Sequence, residues 1–73
     1  MFGLGKKRSK FGKFLDKNRI MQEEIAKESG VSRNTISRLT KSDENRPSMK
    51  NASKIIKSLR NNGYNVDNDD FWM

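Results

Sequence analysis

The amino-acid sequence predicts an all-α domain, a compact bundle of four to five short helices. Three observations carry that prediction. Apolar residues recur three and four apart along most of the chain, the period of a helix and not of a strand. Ser9, Ser32 and Ser48 each stand just ahead of such a segment, where N-caps belong. Gly30, Pro47 and the run Asn61-Asn62-Gly63 stand where segments must end.

Each element follows from those signals. Residues 1–8, MFGLGKKR, read as a flexible basic N-terminal arm that Phe2 and Leu4 could pin to the body. Ser9 caps a first helix that runs to about Lys17. Phe11, Phe14 and Leu15 share one of its faces, and Gly12 weakens it unless another backbone comes close. A second helix runs from Gln22 to Ser29, with Ile25 and Ala26 inward and Glu23 and Glu24 complementing the dipole of its first turn. Gly30 follows, where the chain needs a left-handed residue. Ser32 caps a third helix, Arg33 to Thr40, with Ile36 and Leu39 on its buried side and Val31 at its entrance.

The stretch KSDENRP at 41–47 is a polar loop that Pro47 closes. Ser48 caps a fourth helix, Met49 to about Arg60, whose apolar stripe is Met49, Ala52, Ile55, Ile56 and Leu59. Residues 9–60 make up the domain proper. Residues 61–73 form an acidic and aromatic tail, either a short fifth helix or a docked extended segment.

Composition narrows the function. A chain of 73 residues is one domain with a thin core. It holds no cysteine and no histidine, which excludes disulfides, a zinc finger and Ser-His or Cys-His catalysis. No paired carboxylates in an identifiable pocket suggest an enzyme, and neither a cofactor nor a metal site nor a small-molecule ligand is expected. The longest apolar run is Phe71-Trp72-Met73, far too short for a membrane span or a signal-peptide core. The expected location is the bacterial cytoplasm and nucleoid.

The net charge is +7, unevenly spread. Residues 1–19 carry +6, residues 20–60 carry +4 and residues 61–73 carry −3. Basic charge on the front and middle of the chain points to a polyanionic partner.

The central constellation is AKESGVSRNTIS, Ala26 to Ser37, where a helix is broken at Gly30 and restarted at Ser32. Gln22, Ala26, Gly30, Ile36 and Leu39 have the spacing of a helix-turn-helix. Ala26 is small where the two helices cross, and Ile25, Val31, Ile36 and Leu39 fill the wedge between them. With Ile36 and Leu39 inward, Arg33, Asn34, Ser37 and Arg38 point outward. Arginine can bond guanine O6 and N7, and asparagine adenine N6 and N7, in bidentate fashion. No acidic residue lies between Ser29 and Lys41. Arg38 has the plainest alternative role, an ion pair with an acidic neighbour.

QEEIAKESGVSRNTISRL at 22–39 and RPSMKNASKIIKSL at 46–59 resemble the Xre family, the Cro and lambda-repressor-like helix-turn-helix proteins. The resemblance covers residues 9–59 and implies a lambda-repressor-like bundle with its helix-turn-helix at helices 2 and 3. It implies a base-reading set of Ser32, Arg33, Asn34, Ser37 and Arg38. It implies a DNA-backbone set of Arg19, Gln22, Thr35, Lys41, Ser42, Asn45 and Arg46, with Gln22 also able to support a residue of the recognition helix. Met21 stands where the family has Ser or Thr, which removes a cap worth about 1 kcal/mol unless another group supplies it.

The expected function is a sequence-specific double-stranded DNA-binding transcriptional regulator, a small phage or mobile-element repressor that occludes its operator. A homodimer on DNA is expected, with Tyr64, Phe71 and Trp72 as candidate oligomer contacts. Two alternatives stand beside it. One is a protein-binding antirepressor or adaptor, suggested by the tail DNDDFWM. The other is a nonspecific nucleic-acid binder that works by charge alone.

Overall fold

A computed structural model describes residues 8–72. The expected arm, with Phe2 and Leu4, falls outside the described residues except for Arg8. That residue forms an ion pair with Asp16 at 2.9 Å. Among the described residues there are five helices and no strand: α1 Lys10–Lys17, α2 Gln22–Ser29, α3 Arg33–Lys41, α4 Met49–Asn61 and α5 Asn68–Phe71. The architecture is the lambda-repressor-like bundle, with α2 packed on α3 and α4, and α1 packed on α3.

The serine caps form as their positions predict. Ser9, Ser32 and Ser48 accept hydrogen bonds from the backbone N–H of Gly12, Thr35 and Asn51. Met21 has no such oxygen. Instead the Glu24 carboxylate reaches back and accepts from the Met21 N–H at 3.1 Å, the reciprocal half of a capping box. Gly30 adopts φ 77°, the left-handed conformation that lets α2 stop and α3 restart within three residues.

The core is Phe11, Leu15, Ile25, Val31, Ile36, Leu39, Ile55, Ile56 and Leu59, joined by Val66 and Phe71 from the tail. One residue of the expected stripe departs from it. Met49 is 88% exposed, because it is the first residue of α4 and lies beyond the core; burial on that helix starts at Ala52. The tail turns back so that α5 packs against α1 and α4. Phe71 packs on Phe11 and Phe14 at ring-centroid distances of 5.4 and 5.2 Å, and Tyr64 meets Phe14 edge-on at 5.3 Å. Arg60 ties the tail down, donating to the Val66 carbonyl at 2.9 Å and to Asp67 at 2.6 Å. Phe71 is thus a core residue, and it offers little surface to a second copy; Tyr64 and Trp72 are half-buried.

Helix α1 and the end of α3 meet backbone to backbone. Gly12 is buried, and a Cβ there would fall inside the Thr40 carbonyl oxygen and 3.1 Å from both Thr40 C and Cα. The obstacle is backbone that Ser9 already holds, so it cannot swing aside as a side chain could. Gly12→Ala gains helix propensity of about 1 kcal/mol, yet overpacking of this kind costs more. The expected net loss is about 2 kcal/mol, read as a melting temperature about 10 °C lower. A variant that melts at or above the wild type would show that α1 and α3 are free to move apart.

Candidate nucleic-acid interface

Helix α3 is held from behind and open in front. Val31, Ile36, Leu39 and Thr40 are all buried, whereas Ser32, Arg33, Asn34, Arg38 and Lys41 are exposed. At 100° per residue the outward side chains form two parallel rows. Arg33, Ser37 and Lys41 make one, and Asn34 and Arg38 make the other. The two rows span about 140° of the helix circumference, and no carboxylate lies on α3 itself.

The start of α3 is set by Ser32. Its Oγ accepts from the Thr35 N–H at 3.2 Å and donates to Thr35 Oγ1 at 2.9 Å. Thr35 is half-buried and its hydroxyl is engaged in this cap. The far end is set by three ties. The Ser9 N–H donates to the Thr40 carbonyl at 3.0 Å, and Ser9 Oγ donates to the Leu39 carbonyl at 2.5 Å. The Asn45 side-chain amide donates to the Arg38 carbonyl at 2.8 Å. These bonds satisfy carbonyls that a helix end leaves without partners.

The expected backbone-contacting residues divide into two groups. Lys41 and Arg46 are exposed at the α3 end and in the loop that follows. Thr35, Arg38, Leu39, Asn45 and Arg46 line one small hollow there. Ser42 Oγ accepts from the Glu44 N–H in the same loop. Asn45 has its amide engaged by α3 itself. Gln22 is half-buried, and its Nε2 lies 3.5 Å from Thr40 Oγ1, a marginal bond that aims it at the rear of α3. Arg19 is elsewhere. It adopts φ 57° in the α1–α2 turn and lines a cavity with Glu24, Glu28, Asn62 and Tyr64, with no α3 residue in its wall.

One residue of this surface is missed by sequence reasoning. Glu23, in the first turn of α2, lies 3.4 Å from Arg33 Nη1. The arginine that pairs is therefore Arg33, while Arg38 makes no ion pair with any described residue. The signal lay in the motif. A helix-turn-helix sets the first turns of its two helices side by side, so an acid ten positions upstream becomes a spatial neighbour.

The family model HTH_3, helix-turn-helix, matches residues 13–62, which runs from α1 through α4. The chain belongs to this family. HTH_3 is the Xre and Cro-like group, a DNA-binding family and not an enzyme family. No curated protein and no solved structure matches the chain. The membership makes the protein a DNA-binding regulator in general terms. No described helix is long and apolar enough to cross a membrane.

The cap on α3 gives a separable test of folding and binding. Ser32→Ala removes the acceptor for Thr35 N–H and is expected to lower stability by about 1 kcal/mol. Ser32→Asp keeps a capping oxygen and adds a charge that suits the helix N-terminus, so urea unfolding should show stability near wild type. With the start of α3 set against DNA, as the family resemblance implies, that charge repels phosphates, and Ser32→Asp should bind DNA more weakly than Ser32→Ala. The reverse order of affinities would place the start of α3 away from DNA.

Proposed function

We propose that the protein is a sequence-specific transcriptional repressor of phage or mobile-element type, which sits on an operator and blocks polymerase. The observation that carries the reading is the pair of outward rows on α3, Arg33-Ser37-Lys41 and Asn34-Arg38, on a helix fixed at both ends. α3 enters the major groove and α2 lies across the backbone. Arg33 and Asn34 read base edges, with Ser32, Ser37 and Arg38 beside them. Lys41, Ser42 and Arg46 grip phosphates, which supplies most of the affinity and its salt dependence.

One such module spans few base pairs, so two copies occupy an inverted repeat. Tyr64 and Trp72 keep part of their rings exposed and are the aromatic candidates for contact between copies. The adaptor reading drew on the tail DNDDFWM, but Phe71 and Trp72 there pack on Phe11, and among its described residues the exposed ones are the polar Asp67, Asn68, Asp69 and Asp70. The working location is the bacterial cytoplasm and nucleoid.

Selection of bound duplexes from a random pool defines the operator and, through a repeated motif, the stoichiometry. Against that operator and a scrambled duplex, Arg33→Ala should reduce the affinity ratio, by about 1–3 kcal/mol for a lost bidentate contact, and leave scrambled binding nearly intact. Lys41→Ala should weaken both duplexes alike and reduce the salt slope by about one. An unchanged ratio for Arg33→Ala sinks the recognition-helix assignment. A changed ratio for Lys41→Ala sinks its phosphate role.

A further inference from the structure

The Glu23–Arg33 pair lies at the start of α3, on the surface proposed above to meet DNA. Both side chains are about two-thirds exposed, at 65% and 64%, so the pair contributes little to folding. Its position is the informative part. Among the described residues, it brings the one acidic side chain within ion-pair distance of the outward α3 face onto the arginine at that helix's leading end. A carboxylate there opposes approach to DNA phosphates, whatever the sequence.

The contact leaves part of the guanidinium free. Glu23 Oε1 meets Arg33 at Nη1, and Nε and Nη2 have no described partner. Arginine carries five donors in a rigid fork, so one edge can rest on a carboxylate while another meets an acceptor pair. Guanine O6 and N7 are such a pair.

We propose that Glu23 is a specificity-determining residue that acts through Arg33. On the operator it buttresses the guanidinium by Nη1 and leaves the other edge aimed at a guanine. On any other sequence it keeps Arg33 in a neutral pair, so the arginine adds no phosphate contact. Both effects widen the gap between operator and nonspecific DNA. Glu24 makes a natural control. It carries the same charge one residue along, but it turns back to the Met21 N–H and lines the cavity on the Arg19 side.

The inference rests on α3 reading base edges, and the experiment separates the two. Affinities for the selected operator and a scrambled duplex are measured for wild type, Glu23→Gln, Glu24→Gln, Arg33→Ala and the Glu23→Gln/Arg33→Ala double variant. Glu23→Gln is expected to bind the scrambled duplex about tenfold more tightly, by release of Arg33 to a phosphate and loss of like-charge repulsion, with no net gain on the operator, where the lost buttress offsets the lost repulsion. The ratio of affinities then falls about tenfold, while Glu24→Gln leaves it at the wild-type value. In the Arg33→Ala background Glu23→Gln should no longer change the ratio. An equal rise on both duplexes, a matching fall of the ratio in Glu24→Gln, or an undiminished effect without Arg33 would each overturn the assignment. If wild type itself shows no preference, the base-reading proposal fails first and takes this one with it. If wild type discriminates, Arg33→Ala does not, and Glu23→Gln keeps the wild-type ratio, only the role of Glu23 is lost.

Discussion

The junction between the start of α1 and the end of α3 sets the rest of the molecule. One hydroxyl serves both helices there. Ser9 Oγ accepts from the Gly12 N–H to begin α1 and donates to the Leu39 carbonyl to finish α3. The Ser9 N–H takes the next carbonyl, Thr40. Such sharing needs backbone-to-backbone approach, and that approach is possible only because position 12 has no side chain. Ser9 is 1% exposed, so each bond is shielded from water, and each group left unpaired there would carry a full desolvation penalty. Helix α3 is therefore indexed to α1 from behind before any residue on its front is chosen.

The front of α3 follows a different logic. Its outward residues make few bonds to the rest of the chain, and the ones they do make are weak. Arg33 touches Glu23 at a solvent-exposed site where an ion pair contributes at most about 1 kcal/mol. The other edge of the guanidinium stays open, so a ligand can meet it without disturbing the core. Deep, dry hydrogen bonds fix where the helix lies, and shallow, wet ones leave its side chains open to exchange. The cap at Ser32 stands between the two regimes. It is exposed, yet it holds the first turn of α3 at the angle that Gly30 permits.

Much of this was legible in the chain because it depends on local rules. A serine cap needs only a short-range acceptor, and the left-handed turn needs only a glycine at position 30. The inward positions Ile25, Ile36 and Leu39 follow from the helical period alone. Gly12 was legible as a place for close approach, but the backbone it meets, Thr40, was not, since that depends on how distant segments dock. For the same reason Met49 read as core: periodicity puts it on the stripe but does not say where the stripe meets the bundle. Long-range polar ties were the least visible. Glu28 accepting from both Ser58 and Asn62, Asn45 reaching back to Arg38, and Glu23 lying on Arg33 all join residues whose spacing carries no periodic signal. In each case the residue type showed a polar role while the partner waited on the fold.

The two ends of α3 together bear on how a domain this small could discriminate among sequences. A helix free to rock would let Arg33 and Asn34 follow whichever acceptors a duplex offers, and the difference between sequences would shrink. Here the N-terminal end is capped by Ser32 and wedged by Val31, and the C-terminal end is bonded by Ser9 and Asn45. Motion is left to the side chains on the front. A rigid support lowers the ordering cost of binding for the right partner and raises the misfit for the wrong one. With a core this thin, that rigidity needs reinforcement from outside the helix-turn-helix. The tail supplies it, for Phe71 closes over Phe11 and Phe14, the aromatic face of the helix that holds α3. The acidic, aromatic tail thus supports the basic outward face of α3 from a distance, by keeping α1 where Ser9 and Gly12 can hold the far end of α3.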